Sequence, residues 1–392
     1  MTTPPRIYLD NAATSWPKPE SVYRAVDRYQ REVGAPAGRS GYTEASEVSR
    51  LVEQARMAVA RILGVKDSAC IAFCHNGTDA LNAAIHGALR DGGHVVTSDA
   101  EHNSVLRPLA LLAAQGRISL NHVPCDSAGR IDPADVRRAL RPGTRLVAIQ
   151  HASNVTGTIQ PLAEVGKAVR SHGALFLVDA AQTLGHLPFT VDDLHCDLLA
   201  APGHKGLMGP LGTGVLYVRP GVEAHLQSFR QGGTGTNSES DEHPGDMPDK
   251  FEAGNLNVPG IAGLRAGCDF LLERGIARLH TTISGLVEHF CRRLQQIDGV
   301  KLYGSDGAED RVGVVSLNIQ GYDPQDVAAS LDTAYRIQVR AGLHCAARIH
   351  HALHTFERGG TVRFSVGPFN TAEEIAVAAE AVGEIAAAAR VL

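Results

Sequence analysis

The stretch Ala174–Lys205 reads ALFLVDAAQTLGHLPFTVDDLHCDLLAAPGHK. It holds two short apolar runs, Ala174–Asp179 and Asp197–Ala201. Both are continuous rather than alternating, the pattern of strands buried on two faces. Each is followed at once by polar or glycine-flanked residues, Asp179 and Gln182 after the first and His204 and Lys205 after the second. The 26 residues from Asp179 to Lys205 suffice for one strand-to-strand excursion. An Asp at the end of an apolar strand is costly unless paired.

The same rhythm extends in both directions. Further apolar runs are Ala69–Cys74, His94–Ser98, Ile118–Val123, Arg145–Gln150 and Gly214–Val218. Helix-period runs lie between them at Thr78–Leu89, Val105–Ala114, Pro133–Leu140 and Pro161–Ser171. Two more helices are expected near the start, at Ser21–Val33 and Glu44–Leu63. The alternation predicts an α/β fold with a largely parallel sheet covered on both faces. The polar, Gly-rich segment Gln231–Pro248 reads as an exposed loop. Beyond Pro259, helices at Ile261–Arg274 and His280–Gln296, strands at Val312–Ile319 and Ile337–Arg340, and an Ala-rich helix from Thr371 predict a smaller α+β domain. The expected partition is 1–260 for the N-terminal arm and large domain and 261–392 for the small one.

Ligands of open α/β sheets collect at the carboxyl ends of strands. Four polar clusters fall there. In HNGTDALNAAI, Gly77 and Thr78 open a helix whose free N–H groups suit a phosphate, or else form a plain helix cap. In AEHNS, His102 is placed to stack on an aromatic cofactor or carry a proton. Asp179 suits a pyridinium nitrogen, which an anion keeps protonated, and Gln182 suits a ring oxygen. Only six lysines occur in the chain, and Lys205 alone lies beside glycines after a buried strand. A lysine so placed suits condensation with a carbonyl. The loop GHKGLMGPLGTG lacks the Ser or Thr that a Walker motif places after Gly-Lys.

Two later features concern a substrate. Arg363, framed by apolar residues, suits a bidentate carboxylate or an internal salt bridge. Asn154 suits the same carboxylate or the cofactor. Cys345, in VRAGLHCAARIHHALH, lies in a loop with Arg340, His344, Arg348 and His350 nearby as candidate activators of its thiol. His350, His351 and His354 have helical spacing and read as a polar helix face rather than a metal site.

Together these motifs resemble the cysteine desulfurase and selenocysteine lyase branch of the class V aminotransferase-like enzymes. The resemblance runs from YLDNAATSWPKP to VRFSVGPFNTAEEI and carries NGTDALN, EHNS, SNVTGTIQP, VDAAQ, GHKGLMGP, EAGNLNVPGI and RAGLHCA in order. It implies fold type I, the PLP-dependent transferase fold, with a seven-stranded large domain and a small domain bearing the cysteine loop. It implies pyridoxal 5'-phosphate (PLP) on Lys205, Asp179 at the ring nitrogen, Gln182 at the ring oxygen and His102 stacked on the ring. Gly77, Thr78 and His204 would hold the phosphate, joined by Asn255. Asn154, Arg340 and Arg363 would serve the substrate, and Cys345 would accept sulfur as a persulfide. L-cysteine or L-selenocysteine, a homodimer and a sulfur-acceptor protein are the implied partners. Pro202 departs from the pattern, standing where relatives carry a phosphate-binding Ser, and Asn255 stands where they carry Thr. The AARIHH that follows Cys345 lacks their usual Pro. Rival readings are a lyase for selenocysteine or another sulfur amino acid, a class V aminotransferase with Cys345 incidental, and a non-catalytic scaffold.

The 392 residues are 44% hydrophobic and 20% charged, with a net charge of −5, an ordinary globular balance. That charge argues against nucleic acid or an anionic membrane as the main partner. No apolar run reaches the ~20 residues of a membrane span. The N-terminal arm has no apolar core of signal-peptide length. Seven scattered cysteines predict a reducing, cytoplasmic setting. Of these, Cys70, Cys74, Cys196 and Cys291 read as buried small hydrophobes.

Overall fold

The computed structural model describes residues 6–38 and 41–388. The first five residues of the expected arm and the last four of the expected terminal helix lie outside them. The chain opens with β1 (Ile7–Tyr8), α1 (Glu20–Arg28) and α2 (Thr43–Leu63). It continues through β2 (Ile71–Cys74), α3 (Gly77–Ala88), β3 (Gly93–Ser98), α4 (Asn103–Ala114), β4 (Ile118–Val123) and α5 (Pro133–Ala139). Then come β5 (Thr144–Gln150), α6 (Leu162–His172), β6 (Leu175–Asp179), β7 (Leu198–Pro202) and β8 (Gly214–Val218).

These strands form one seven-stranded sheet in the order β2-β8-β7-β6-β5-β3-β4. Pairing is parallel except around β8, which runs antiparallel to both β2 and β7. The apolar runs work because alternate residues enter two different cores. Val147, Ile149, Phe176, Val178 and Leu199 face α2 and α6. Leu146, Ala148, Leu177, Leu198 and Ala200 face α3 and α4. All ten are fully buried, and each large side chain among them contributes about 1.5–3 kcal/mol. Gln231–Pro248 is an exposed loop without helix or strand, as its composition predicts.

The second part comprises α7 (Val258–Arg274), α8 (Ile276–Leu294), β9 (Val300–Tyr303), β10 (Val314–Ile319), α9 (Pro324–Tyr335), β11 (Ile337–Gln338), β12 (Arg340–Gly342), α10 (Ile349–Ala352), β13 (Thr361–Ser365) and α11 (Ala372–Ala388). A four-stranded antiparallel sheet, β12-β13-β10-β9, carries a third core. There Val315, Leu317 and Phe364 meet Phe290 of α8 and Val382 of α11. Helix α7 buries Val258, Ile261, Leu264 and Leu271 in the core beneath α2. The expected single strand Ile337–Arg340 is two strands. Ile337–Gln338 pairs with β1 of the arm, and Arg340–Gly342 pairs with β13. Among the described residues no helix is long and apolar enough to cross a membrane.

Candidate active site

The four polar clusters meet at the carboxyl ends of β2, β3, β6 and β7, as the strand order requires. They surround a cavity of about 510 Å³. Gly77, Thr78, His102 and His204 form part of its wall, and Asn154, Asp179, Gln182 and Lys205 complete the set expected there. Arg340, Cys345 and Arg363 do not line it; Arg363 bonds Asn154 directly, Asn154 bonds the carbonyl of His344 next to Cys345, and Arg340 bonds the Cys345 sulfur. Asn255 is not in this cavity. It is exposed and lines a separate one with Phe251 and Asn257.

At the turn after β2, Asn76 caps α3, its Oδ1 accepting the Asp79 N–H at 2.9 Å. Capping by Asn76 frees the Thr78 hydroxyl, which lies 2.7 Å from the Ser104 hydroxyl. Gly77 is required here by crowding, since a Cβ would stand 2.9 Å from Pro202 Cδ. Pro202 itself lines the cavity and offers it neither an N–H nor a hydroxyl.

His102 caps α4 with its ring, Nδ1 accepting the Ser104 N–H at 3.0 Å. That bond places the proton of the neutral ring on Nε2. Burial, then Lys205, Arg340 and Arg363, lower its pKa to about 4, so the ring is neutral at neutral pH. Ser104 is the functional neighbour that sequence reasoning passed over, although it stands in the quoted AEHNS.

Asp179 ends β6, and its Oδ1 accepts the Ala181 N–H at 2.9 Å. Burial pushes this carboxyl above its ordinary range, against the Ala181 N–H and the charge of Lys205. Burial likewise lowers the Lys205 amine to about 8, with Asp179 opposing and Arg363 assisting. Beneath them the fully buried Glu101 accepts from the Ser98 hydroxyl at 2.6 Å and the Gln150 N–H at 2.8 Å, joining the ends of β3 and β5. Gln182 donates to the carbonyl of Ala12 in the arm at 3.2 Å.

On β13, Arg363 is 1% exposed. Its Nη2 donates to Asp10 Oδ1 at 2.7 Å and its Nη1 to the Asn154 carbonyl at 3.0 Å. The internal salt bridge is thus present, while Nε is buried without a partner in the protein. Asn154 donates through Nδ2 to the His344 carbonyl at 2.6 Å.

Cys345 is exposed, and Arg340 Nη2 lies 3.3 Å from its sulfur. Of the four expected activators, Arg340 alone points at it. His344 turns inward to Thr361, Arg348 pairs with Asp99, and His350 is buried against Thr355. The expected polar histidine face also fails, because α10 is only four residues long and His350 is fully buried. His344 and Cys345 both take left-handed backbone, at φ 49° and 59°. Such pairs cost roughly 1–3 kcal/mol per residue and need outside support. Asn154 supports the first carbonyl, and the Asn103 N–H supports the second at 2.8 Å.

The aminotransferase class V family pattern matches residues 7–377. The chain belongs to the class V aminotransferase family. This family is PLP-dependent in general. Within it, the chain is 39% identical to a protein named "Probable cysteine desulfurase" from Methanothermobacter thermautotrophicus, over 97% of this chain and 94% of the other. A namesake from Pyrococcus abyssi is 35% identical over 94% and 91%. The solved apo structure of a cysteine desulfurase from Thermococcus onnurineus superposes with a TM-score of 0.91 at 34% identity, covering 98% and 95% of the two chains. A cysteine desulfurase from Escherichia coli gives 0.86 at 28% identity, covering 97% and 94%. As a member of this family, the chain has the mostly parallel large sheet of fold type I.

Proposed function

We propose that this chain is a PLP-dependent cysteine desulfurase that converts L-cysteine to L-alanine and passes the sulfur to Cys345. One observation carries the reading: Arg340 and Cys345 are held beside Asn154, at the rim of the cavity containing Lys205 and Asp179. Two buried atoms in that cavity wall, His204 Nδ1 and Asn154 Oδ1, lack hydrogen-bond partners within the protein. They fit a polar ligand, and the residue set fits PLP.

When bound, PLP supplies an aldehyde for amines and a ring that accepts electrons from the substrate Cα. Lys205 would hold it through its amine and would move the proton at the substrate Cα. An amine lowered to about 8 is suited to that exchange. The Asp179 carboxylate keeps a proton on the ring nitrogen, and a cationic ring partner offsets the burial that otherwise raises its pKa. Neutral His102, in the cavity wall, would cover the ring and exclude water from that face. Gln182 serves the ring oxygen. Thr78, Gly77 and His204 bind the phosphate.

The unpaired Nε of Arg363 and the second Nδ2 hydrogen of Asn154 orient the substrate carboxylate. The Cys345 sulfur, paired with the Arg340 guanidinium, attacks the substrate sulfur. An S–S bond forms as the C–S bond breaks, so L-cysteine and a thiol become L-alanine and a persulfide. In the same reading Asn255 serves the phosphate of a second copy in a homodimer, 261–392 form the small domain, and a cytoplasmic acceptor protein takes the sulfur.

Sulfide and alanine release from L-cysteine, with PLP and reductant present, tests the proposal. Equal amounts of both are expected, with a loss of at least ~100-fold in Cys345→Ala. Parental sulfide release by that variant removes Cys345 from the chemistry. Turnover of selenocysteine alone removes the desulfurase assignment.

A further inference from the structure

The arm segment TSWPKP lies against the turn that carries Lys205, and nothing in the chemistry above uses it. We propose that Lys18 is a positioning residue. Its ammonium, working with Ser15, clamps the backbone carbonyls of His204 and Lys205 and so fixes where the Lys205 amine stands. The inference rests on the role proposed for Lys205.

Lys18 Nζ donates to the His204 carbonyl at 2.7 Å and to Ser15 Oγ at 2.6 Å. Ser15 Oγ lies 2.9 Å from the Lys205 carbonyl and 3.1 Å from that of His204. A hydroxyl has one proton to give. Because Lys18 donates into Ser15 Oγ, that proton is free for the nearer oxygen, on Lys205. The Ser15 N–H at 3.1 Å and the Thr14 hydroxyl at 3.2 Å converge on the His204 carbonyl as well. Two consecutive carbonyls are thus held by a segment about 190 residues away in sequence.

The turn needs such a hold. Gly203 and Gly206 flank His204 and Lys205, and neither tolerates a side chain. A Cβ would stand 2.2 Å from Thr213 Oγ1 at the first and 2.2 Å from the Leu184 carbonyl at the second. Glycines bring no side-chain contacts of their own, so hydrogen bonds to the backbone help fix the turn, those from the arm alongside the Met208 N–H on the Lys205 carbonyl at 2.9 Å and the Gly203 N–H on the Thr213 carbonyl at 2.8 Å. Burial lowers the Lys18 amine to about 8, which leaves it mostly charged at neutral pH. A charged donor makes a stronger bond to a carbonyl than a neutral one.

A mere brace for the arm predicts lost stability and unchanged chemistry. A clamp on Lys205 predicts slower chemistry in a folded protein. Lys18→Met keeps the stem but removes charge and donors, and Lys18→Arg keeps both. For each, melting is followed, then the rise of the lysine-adduct absorbance when PLP is added to cofactor-free protein, then kcat and KM for L-cysteine. In Lys18→Met the adduct rate and kcat are expected to fall on the order of tenfold with KM within about twofold, and Lys18→Arg is expected to recover most of the loss. Ser15→Ala, which removes the hydroxyl between Lys18 and the Lys205 carbonyl, is expected to act in the same direction. It decides the matter by the same readouts if Lys18→Met does not fold. A folded variant whose adduct rate and kcat stay within about twofold of the parent overturns the clamp. If the parent forms the adduct but releases no alanine, the desulfurase reading fails while the adduct rate still judges Lys18. If the parent forms no adduct, Lys205 loses its role and the clamp falls with it.

Discussion

Arg363 shows how one side chain divides its work. One edge of the guanidinium meets Asp10 of the arm, and Nε is left unpaired in a buried setting. Removing Asp10 leaves a buried cation without its anion, an arrangement that costs several kcal/mol. Asp10→Ala is therefore expected to lose about 3 kcal/mol in urea denaturation, the low end of that range because the Asp10 side chain is 21% exposed. A loss below about 1 kcal/mol would mean that solvent already screens the pair. Sequence alone left Arg363 open between a substrate carboxylate and an internal partner. Choosing needs the location of Asp10, which lies 353 residues away. The thiol activators were misjudged for a related reason. Proximity in sequence to Cys345 says nothing about direction: His344, itself in left-handed backbone, turns inward to Thr361, and Arg348 reaches outward to Asp99.

Among elements, the contact between α3 and β7 shapes the end of the cavity lined by Gly77 and Thr78. Gly77 opens α3, and a methyl there would meet Pro202 Cδ at 2.9 Å and Pro202 N at 3.1 Å. Alanine gains up to ~1 kcal/mol in helix propensity, but overpacking against a proline ring costs about 1–3 kcal/mol. Gly77→Ala is thus expected to be destabilised by about 1 kcal/mol and to bind PLP more weakly, measured by melting and cofactor titration. Unchanged affinity with raised stability would show that the helix simply shifts outward. Most large-sheet strands were legible because they are apolar runs feeding two cores, although the edge strand β4 is half polar and partly exposed. The small domain was less so. Strand β9 is four residues long, and α9 starts at an Asp323-Pro324 cap whose signal went unused. The break between β11 and β12 follows from two different pairing partners, which periodicity cannot reveal. The site clusters were legible because they fall at strand ends, where ligands of this architecture collect, whereas Ser104, Ser15 and Lys18 sit inside quoted motifs but bond to residues distant in sequence, which a motif does not reveal.

Across the whole molecule, buried histidines set the acid limit. Burial is the first cause lowering His102, His186, His204 and His350 to about 4 and His151 to about 3. An unfolded chain protonates these rings near 6.5. Unfolding therefore takes up protons below that pH, and stability falls from about pH 6.5 down to the folded values. Glu101 and Asp179, raised by burial, act in the opposite sense as the pH falls through their raised values, but they are outnumbered by these rings and by His344, which burial also lowers. The melting temperature is expected to drop by roughly 10 °C between pH 7 and pH 5. A flat profile over that range would show that the rings are already charged in the folded protein.

The bridge between Asp10 and Ser365 has a consequence for how the molecule is born. At translation speeds of about 5–20 residues per second, residue 365 follows residue 10 by roughly 20 to 70 seconds. The large sheet has all its strands by residue 218 and can form during that wait. Its arm cannot reach Arg363 and Ser365 until those residues have left the ribosome. A nascent chain can therefore fold its large sheet first, and the pocket is latched late, when the segment around Asp10 meets β13.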